Sequence, residues 1–168
     1  MTALASLPRI CLVSLLVGLS TLGLLLGAFA LQYWAGLSPC HLCLLQRGPL
    51  VAGCILALTG FASGLFEAKA ARIALAAAGL CLLMSAGIGV YHSGVERHWW
   101  AGPDTCTGSF RMPKSAADFA AGLAGARLVR CDEIPWAFAR LSLANYNVLF
   151  SGTLALLAGY AVARTGRK

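Results

Sequence analysis

The stretch Ile10–Leu31, ICLVSLLVGLSTLGLLLGAFAL, contains no Asp, Glu, Lys or Arg. A helix needs ~20 apolar residues to cross ~30 Å of hydrocarbon, and this run has that length. Three more charge-free runs follow it: Gly48–Phe66, Ile73–Tyr91 and Leu141–Ala163. Together they predict an all-α membrane protein, a four-transmembrane-helix bundle. Its connections fall at about residues 32–47, at a short turn over Glu67–Arg72, and in a long loop over about residues 92–140. Composition agrees. The chain of 168 residues is 59% hydrophobic and 11% charged, against roughly 25% charged in soluble domains. It has too few polar side chains to cover a water-facing surface. The whole chain reads as one integral membrane domain without internal repeats.

Ala28-Phe29-Ala30 resembles a signal-peptidase site. A cleaved signal, however, has an apolar core of ~7–15 residues. The run from Ile10 is longer, and it ends at Tyr33-Trp34, a typical interfacial anchor. It is therefore expected to be a retained helix.

Four spans put both termini on one side. That side carries Arg9, Lys69, Arg72, Arg164, Arg167 and Lys168, crowded into short tails and one turn. The other side carries Arg47, Arg97, Arg111, Lys114, Arg127, Arg130 and Arg140, diluted in the long loop by Glu96, Asp104, Asp118, Asp132 and Glu133. Density rather than count then places the termini in the cytoplasm. The net charge of +7 is a topology signal first. No basic-aromatic pattern suggests nucleic acid.

The cysteines point the same way. Cys40, Cys43, Cys106 and Cys131 all fall in the two segments on the predicted outer side, where disulfides persist. Cys11, Cys54 and Cys81 lie inside apolar spans and read as small packing residues. Gly23-x-x-x-Gly27 and Gly60-x-x-x-Gly64 offer small faces on which helices approach closely.

Cys40 and Cys43 form a Cys-x-x-Cys pair where the chain turns into the second helix. A helix N-terminus stabilises thiolate, the form that attacks a disulfide or donates electrons. Arg47 lies one turn beyond Cys43, where its fixed charge would favour thiolate or hold a carbonyl oxygen. A structural disulfide or half of a zinc site remains open on spacing alone. A c-type haem would require His in place of Leu44. Zinc would need two more ligands at compact spacing, which Cys106 and Cys131 do not offer.

Paired, Cys106 and Cys131 would close a loop worth roughly 3–4 kcal/mol as a plain staple. Cys106 sits among small polar residues, Pro103 to Gly108, and is expected to be exposed and mobile. Between the two, Ser115–Arg130 reads as a short helix capped by Ser115. Ile134–Phe138 suits the membrane interface. His92, at the outer end of the third span, is by position more often an interfacial residue than a catalytic one. His41 and His98 lean further that way.

These residues resemble the DsbB family of bacterial inner-membrane thiol oxidases. The resemblance covers nearly the whole chain. It rests on the four-span plan, Pro39-Cys40-His41-Leu42-Cys43 followed by Gln46-Arg47, Tyr91-His92, Cys106, and Cys131-Asp132-Glu133-Ile134-Pro135-Trp136. It implies that Cys40, Cys43, Cys106 and Cys131 are catalytic and that no metal is held. A periplasmic thioredoxin-fold dithiol protein would attack the Cys106–Cys131 disulfide at Cys106. Cys131 would then attack Cys40, and Cys43 would pass two electrons to a membrane quinone, ubiquinone or menaquinone. Arg47 would polarise a quinone oxygen, with His92 as a second contact. Such an oxidase–quinone pathway keeps the periplasm oxidising.

Other readings stand beside it. A vitamin K epoxide reductase-like enzyme places its redox pair late in the chain and inside a helix. A soft-metal-ion carrier would line a bilayer path with charges or cysteines. A structural tetraspan with two disulfides gives no reason for Arg47.

Overall fold

The computed structural model describes residues 9–103, 106 and 130–165. Its four long helices are α1 (Arg9–Tyr33), α2 (His41–Gly64), α3 (Ala68–Glu96) and α4 (Leu143–Thr165). All are long and apolar enough to cross a membrane. Each holds an apolar stretch of spanning length, with apolar side chains both buried and facing outward, as expected of a helix with lipid on one side and protein on the other. Leu16, Leu26, Ile55, Leu80 and Leu156 are exposed on the lipid-facing sides. The chain is a multi-pass membrane protein.

The helices outrun the charge-free stretches. α2 begins at His41 rather than Gly48, so Cys43, Gln46 and Arg47 are helical. α3 runs from Ala68 to Glu96, which makes Lys69, Arg72, His92 and Glu96 helical too. Only Leu65-Phe66-Glu67 joins α2 to α3. A charge gap marks the hydrocarbon, whereas backbone hydrogen bonding continues through the interface where charged side chains reach water.

α3 packs along both α2 and α4, and α2 also packs on α1. α1 meets α4 much less closely. Between helices in lipid, close packing replaces the hydrophobic effect as the cohesive force. Gly60 and Gly64 supply it: a Cβ on Gly64 would stand 2.6 Å from Cys11 Sγ and 2.9 Å from Ala71 Cβ. Ile10, Cys11, Val17, Ala57, Leu75, Ala78 and Leu82 complete this dry core. Cys54 donates to the Gly18 carbonyl at 3.5 Å. Gly23 and Gly27 differ from the expectation: nothing lies within 4 Å of a Cβ placed there.

Before α4 the chain makes a two-residue antiparallel hairpin, β1 (Ala137–Phe138) with β2 (Leu141–Ser142). Ala139 and Arg140 turn it with positive φ values of 48° and 64°, the twist that tight hairpins need. The Tyr146 hydroxyl donates to the Phe138 carbonyl at 3.2 Å and ties the hairpin to α4. Trp136 and Phe138 stack in it. Apart from Arg130, the short helix expected over 115–130 lies outside the described residues.

Candidate functional site

Cys40 is the N-cap of α2, and its sulfur accepts a hydrogen bond from the Cys43 amide at 3.2 Å. The cap places the sulfur where the helix dipole is positive. Cys43 Sγ lies 2.7 Å from Cys40 Sγ, and both are free thiols. From α3, His92 brings Nε2 to 3.5 Å from Cys40 Sγ. The Cys40 thiol is held well below the usual thiol range. The hydrogen bond from the Cys43 thiol is the main cause, burial opposes it, and His92 adds a further hydrogen bond.

The proton on His92 can be placed by following hydrogen bonds from a fixed acceptor. The Ser85 carbonyl only accepts, so Asn147 presents Nδ2 to it at 3.2 Å. The same Nδ2 donates to Gln46 Oε1 at 2.8 Å. Gln46 therefore turns Nε2 toward His92 Nδ1, at 3.0 Å. Nδ1 accepts, and the hydrogen of the neutral ring sits on Nε2, facing Cys40. Ser151 donates to Asn147 Oδ1 at 2.9 Å and Ser85 Oγ to the Gln46 carbonyl at 3.1 Å, locking the amide chain in place.

A second chain reaches the same nitrogen from the hairpin side. Glu96, one turn beyond His92 and buried, has Oε1 3.9 Å from His92 Nε2. Ser142 Oγ donates to Glu96 Oε2 and accepts from Asn145 Nδ2 at 2.8 Å. Asn145 Oδ1 accepts from Ser93 Oγ at 3.1 Å and from Arg97 at 3.3 Å.

Cys106 and Cys131 form a disulfide. It is buried in one cluster with Cys40, Leu42 and Val95, and Cys43 packs against that cluster. Cys106 is 2% exposed, against the expectation of an exposed residue. Polar neighbours in sequence suggested water, but the sulfur turns toward the Cys40 group. The Cys131 amide donates to the Cys106 carbonyl at 3.1 Å. Arg130 and Asp132 bracket Cys131 with an ion pair, and Arg130 holds the Asp132 carboxyl below the usual carboxylate range.

Beside the cysteines, where α1 and α4 draw apart, a cavity of about 280 Å³ opens. Cys43, Gln46, Arg47, His92 and Asn147 line its polar side, and Gly23, Gly27, Leu31, Leu50 and Phe150 its apolar walls. The two glycines thus make room for a cavity rather than for a helix. Arg47 donates to Gln32 Oε1 at 2.6 Å and to the Ala28 carbonyl at 3.3 Å. Its guanidinium lies 4.9 Å from the Phe29 ring centre. Arg47 shares the Cys43 face, as the one-turn spacing predicts. Its hydrogen bonds go to α1 and not to either sulfur, so the thiolate is supported by Cys43 and His92 instead.

The structure brings Cys40, Cys43, Cys106, Cys131 and His92 together, with Arg47 on the cavity beside them. Sequence reading missed Ser85, Glu96, Ser142, Asn145 and Asn147. The available signal was a set of Asn and Ser residues inside otherwise apolar spans, which are costly unless paired.

Four membrane-length helices carrying two cysteine pairs in one buried cluster define a membrane thiol–disulfide protein. The family model described as disulfide bond formation protein DsbB matches residues 10–161, and the chain belongs to that family. Among curated proteins, disulfide bond formation protein B of Aromatoleum aromaticum is 31% identical over 171 residues, covering 89% of this chain and 95% of that protein. Disulfide bond formation protein B of a Polaromonas species is 27% identical over 173 residues, covering 100% of this chain and 98% of that protein. No solved structure gives a significant match.

Proposed function

We propose that this chain is a quinone-dependent protein-dithiol oxidoreductase of the bacterial inner membrane. Its termini lie in the cytoplasm and its redox cysteines in the periplasm. It reoxidises a periplasmic thioredoxin-fold dithiol protein and passes two electrons to ubiquinone or menaquinone. The observation that carries this reading is the meeting of both cysteine pairs in one buried cluster beside a cavity.

The partner's thiolate attacks Cys106, and docking on the surrounding segment uncovers that buried sulfur. Cys131, released as thiolate, attacks the Cys40–Cys43 disulfide at Cys40, and Cys43 leaves as thiolate. The partner's second thiolate then breaks the partner–Cys106 bond, so the partner leaves oxidised and Cys106 is freed as thiolate. Cys106 attacks Cys131 in the Cys131–Cys40 bond, which re-forms the outer disulfide and leaves Cys40 and Cys43 reduced. The Cys40 thiolate, held by the Cys43 thiol and by His92 Nε2–H, is then ready to close the inner disulfide again.

The cavity suits a quinone ring. Its walls are apolar, one cysteine faces it, and Arg47 and His92 supply donors for ring oxygens. A bound quinone supplies the sink for two electrons and two protons. Arg47, anchored to α1 and stacked on Phe29, would orient a carbonyl without moving. The loose seam between α1 and α4 offers a way in from the lipid.

A soft-metal carrier is less well supported. Cys40, Cys43 and His92 offer ligand atoms within 4.8 Å of one another. A histidine ligand, however, binds metal through a lone pair and donates its other N–H. The amide chain arranges the reverse, with Nε2–H toward the sulfurs.

The test uses purified protein, a reduced periplasmic thioredoxin-fold protein and excess quinone. Partner oxidation should be catalytic in the wild type and absent in Cys106→Ala. Normal partner oxidation by that variant would refute Cys106 as the point of attack.

A further inference from the structure

Glu96 is a buried acid to which the scheme above gives no part. Its two oxygens face different groups: Oε1 faces His92 Nε2 at 3.9 Å, and Oε2 takes the hydrogen of Ser142. On its other side His92 Nε2 faces Cys40 Sγ at 3.5 Å. One ring nitrogen therefore stands between a thiol that must lose a proton and a carboxyl able to hold one. The charged and titratable groups facing Glu96 are His92 and Arg97 on its own helix and Cys40 and Cys43 at the start of α2. Ser142 of the hairpin and Asn145 of α4 are neutral. Two anions side by side in this buried site would repel with little water to screen them. A single negative charge shared by alternation avoids that cost.

We infer that Glu96 is a proton-holding positioning residue, which takes up a proton when reduction of the inner pair leaves Cys40 as thiolate and releases it when the pair is oxidised. This deepens the proposed function and rests on it for the identity of the electron acceptor. In the reduced site Cys40 is thiolate, Cys43 keeps its hydrogen, and Glu96 is a neutral acid. His92 keeps its hydrogen on Nε2 in both states, between Cys40 Sγ and Glu96 Oε1, and the carboxyl takes up its own proton as the inner pair is reduced. On oxidation the Cys40–Cys43 bond forms, and two electrons leave the sulfurs for the acceptor. Two protons leave with them, one from Cys43 Sγ and one from Glu96. Glu96 ends as carboxylate, and the site holds one negative charge in both states. The neutral amide chain from Ser85 to Nδ1 keeps the ring hydrogen on Nε2 throughout.

The proton count is the readout, since a merely structural role for Glu96 would not change it. The full-length protein lacking the outer pair (Cys106→Ser with Cys131→Ser) is equilibrated in detergent with redox buffers across neutral pH. The same protein carrying Glu96→Gln is treated in parallel, and the oxidised fraction is read by thiol alkylation. With two protons released, the constant of the protein's half-reaction, taken against the buffer's own potential at each pH, should rise ~100-fold per pH unit in the parent. It should rise only ~10-fold with Gln at position 96, because Cys40 is already thiolate and Gln holds no proton. At 29.6 mV per tenfold these are slopes of ~59 and ~30 mV per pH unit. Equal slopes in the two proteins, at either value, would overturn the inference.

A second measurement needs no change at position 96. The infrared difference spectrum of the parent, oxidised minus reduced, should lose a protonated-carboxyl C=O band. A spectrum without that loss would also overturn the inference. Neither readout uses quinone. A wild type that fails to reduce quinone would therefore strike the proposed function and leave the proton count to be judged separately.

Discussion

The two ends of the bundle are built on opposite rules. Toward the termini and the α2–α3 turn, buried positions are apolar or small: Ile10, Cys11, Ala57, Ala71 and Leu75. Helices touch there through Gly60 and Gly64. Toward the cysteines, buried positions are polar: Gln46, Ser85, His92, Glu96 and Ser142. At that end the glycines of α1 leave a cavity instead of a contact. In lipid a dry crossing holds by fit, and a polar cluster holds only if every donor finds an acceptor. One end supplies cohesion, and the other end has its donors and acceptors arranged around sulfur.

Substitutions that exchange those rules should separate the two ends. Gly64→Leu should have the largest effect. Even a Cβ would meet Cys11 and Ala71 closer than any normal contact, and overpacking of this kind costs ~1–3 kcal/mol or more. Loss of a monodisperse peak on gel filtration is the expected outcome. A stable Gly64→Leu protein would mean the dry end is not held by that crossing.

Asn147→Leu should come next. It strands Gln46 and Ser85, with a stability cost of ~1–3 kcal/mol for each buried partner left unsatisfied. Thermal melting in detergent reads the loss. The same variant should move Cys40 back toward the ordinary thiol range, since His92 is then free to turn its bare nitrogen to the sulfur.

Arg47→Ala should leave the fold intact and raise the apparent KM for quinone ~10–100-fold, the scale of a lost hydrogen bond to a charged group. An effect confined to the protein substrate would mean that Arg47 is misassigned. Gly27→Leu should do less, ~3–10-fold in KM, by filling apolar space with a side chain that can partly turn away. It should not lower the melting temperature. That contrast with Gly64→Leu is the sharpest test of the difference between the two glycine pairs.

The smallest effect is one of pH. Because the Cys40 thiol is depressed, thiolate absorbance of the reduced protein, wild type minus Cys40→Ala, should persist as pH falls below ~8.5, where a free thiol protonates. The sign for stability follows from the same shift. The contribution is present above the unfolded value and is lost as pH falls through the lower folded one.

Much of this was legible in the chain. Charge gaps found all four helices, because hydrocarbon tolerates few unpaired charges, but they misplaced helix ends that reach into the interface. Cys40, Cys43 and Arg47 stood out by spacing, whereas His92 read by position as an interfacial residue and gained a role only through the family resemblance. The burial of Cys106 was not legible, since local polarity says nothing of a tertiary contact with Val95 and Cys40. Glu96 was hidden because it read as one acid of a water-facing loop, and Asn147 for another reason. A single polar residue in an apolar run looks alike whether it completes a network or faces lipid headgroups, and only the fold supplies its partners.

The most direct test of the account follows quinone absorbance over time, with purified protein, a reduced periplasmic thioredoxin-fold partner, and wild type against Cys43→Ser. The account predicts quinone loss matched mole for mole by partner oxidation in the wild type and none in Cys43→Ser. In that variant the outer disulfide should still exchange with the partner. Unchanged quinone turnover in Cys43→Ser, or no turnover in the wild type with either quinone class, would contradict it.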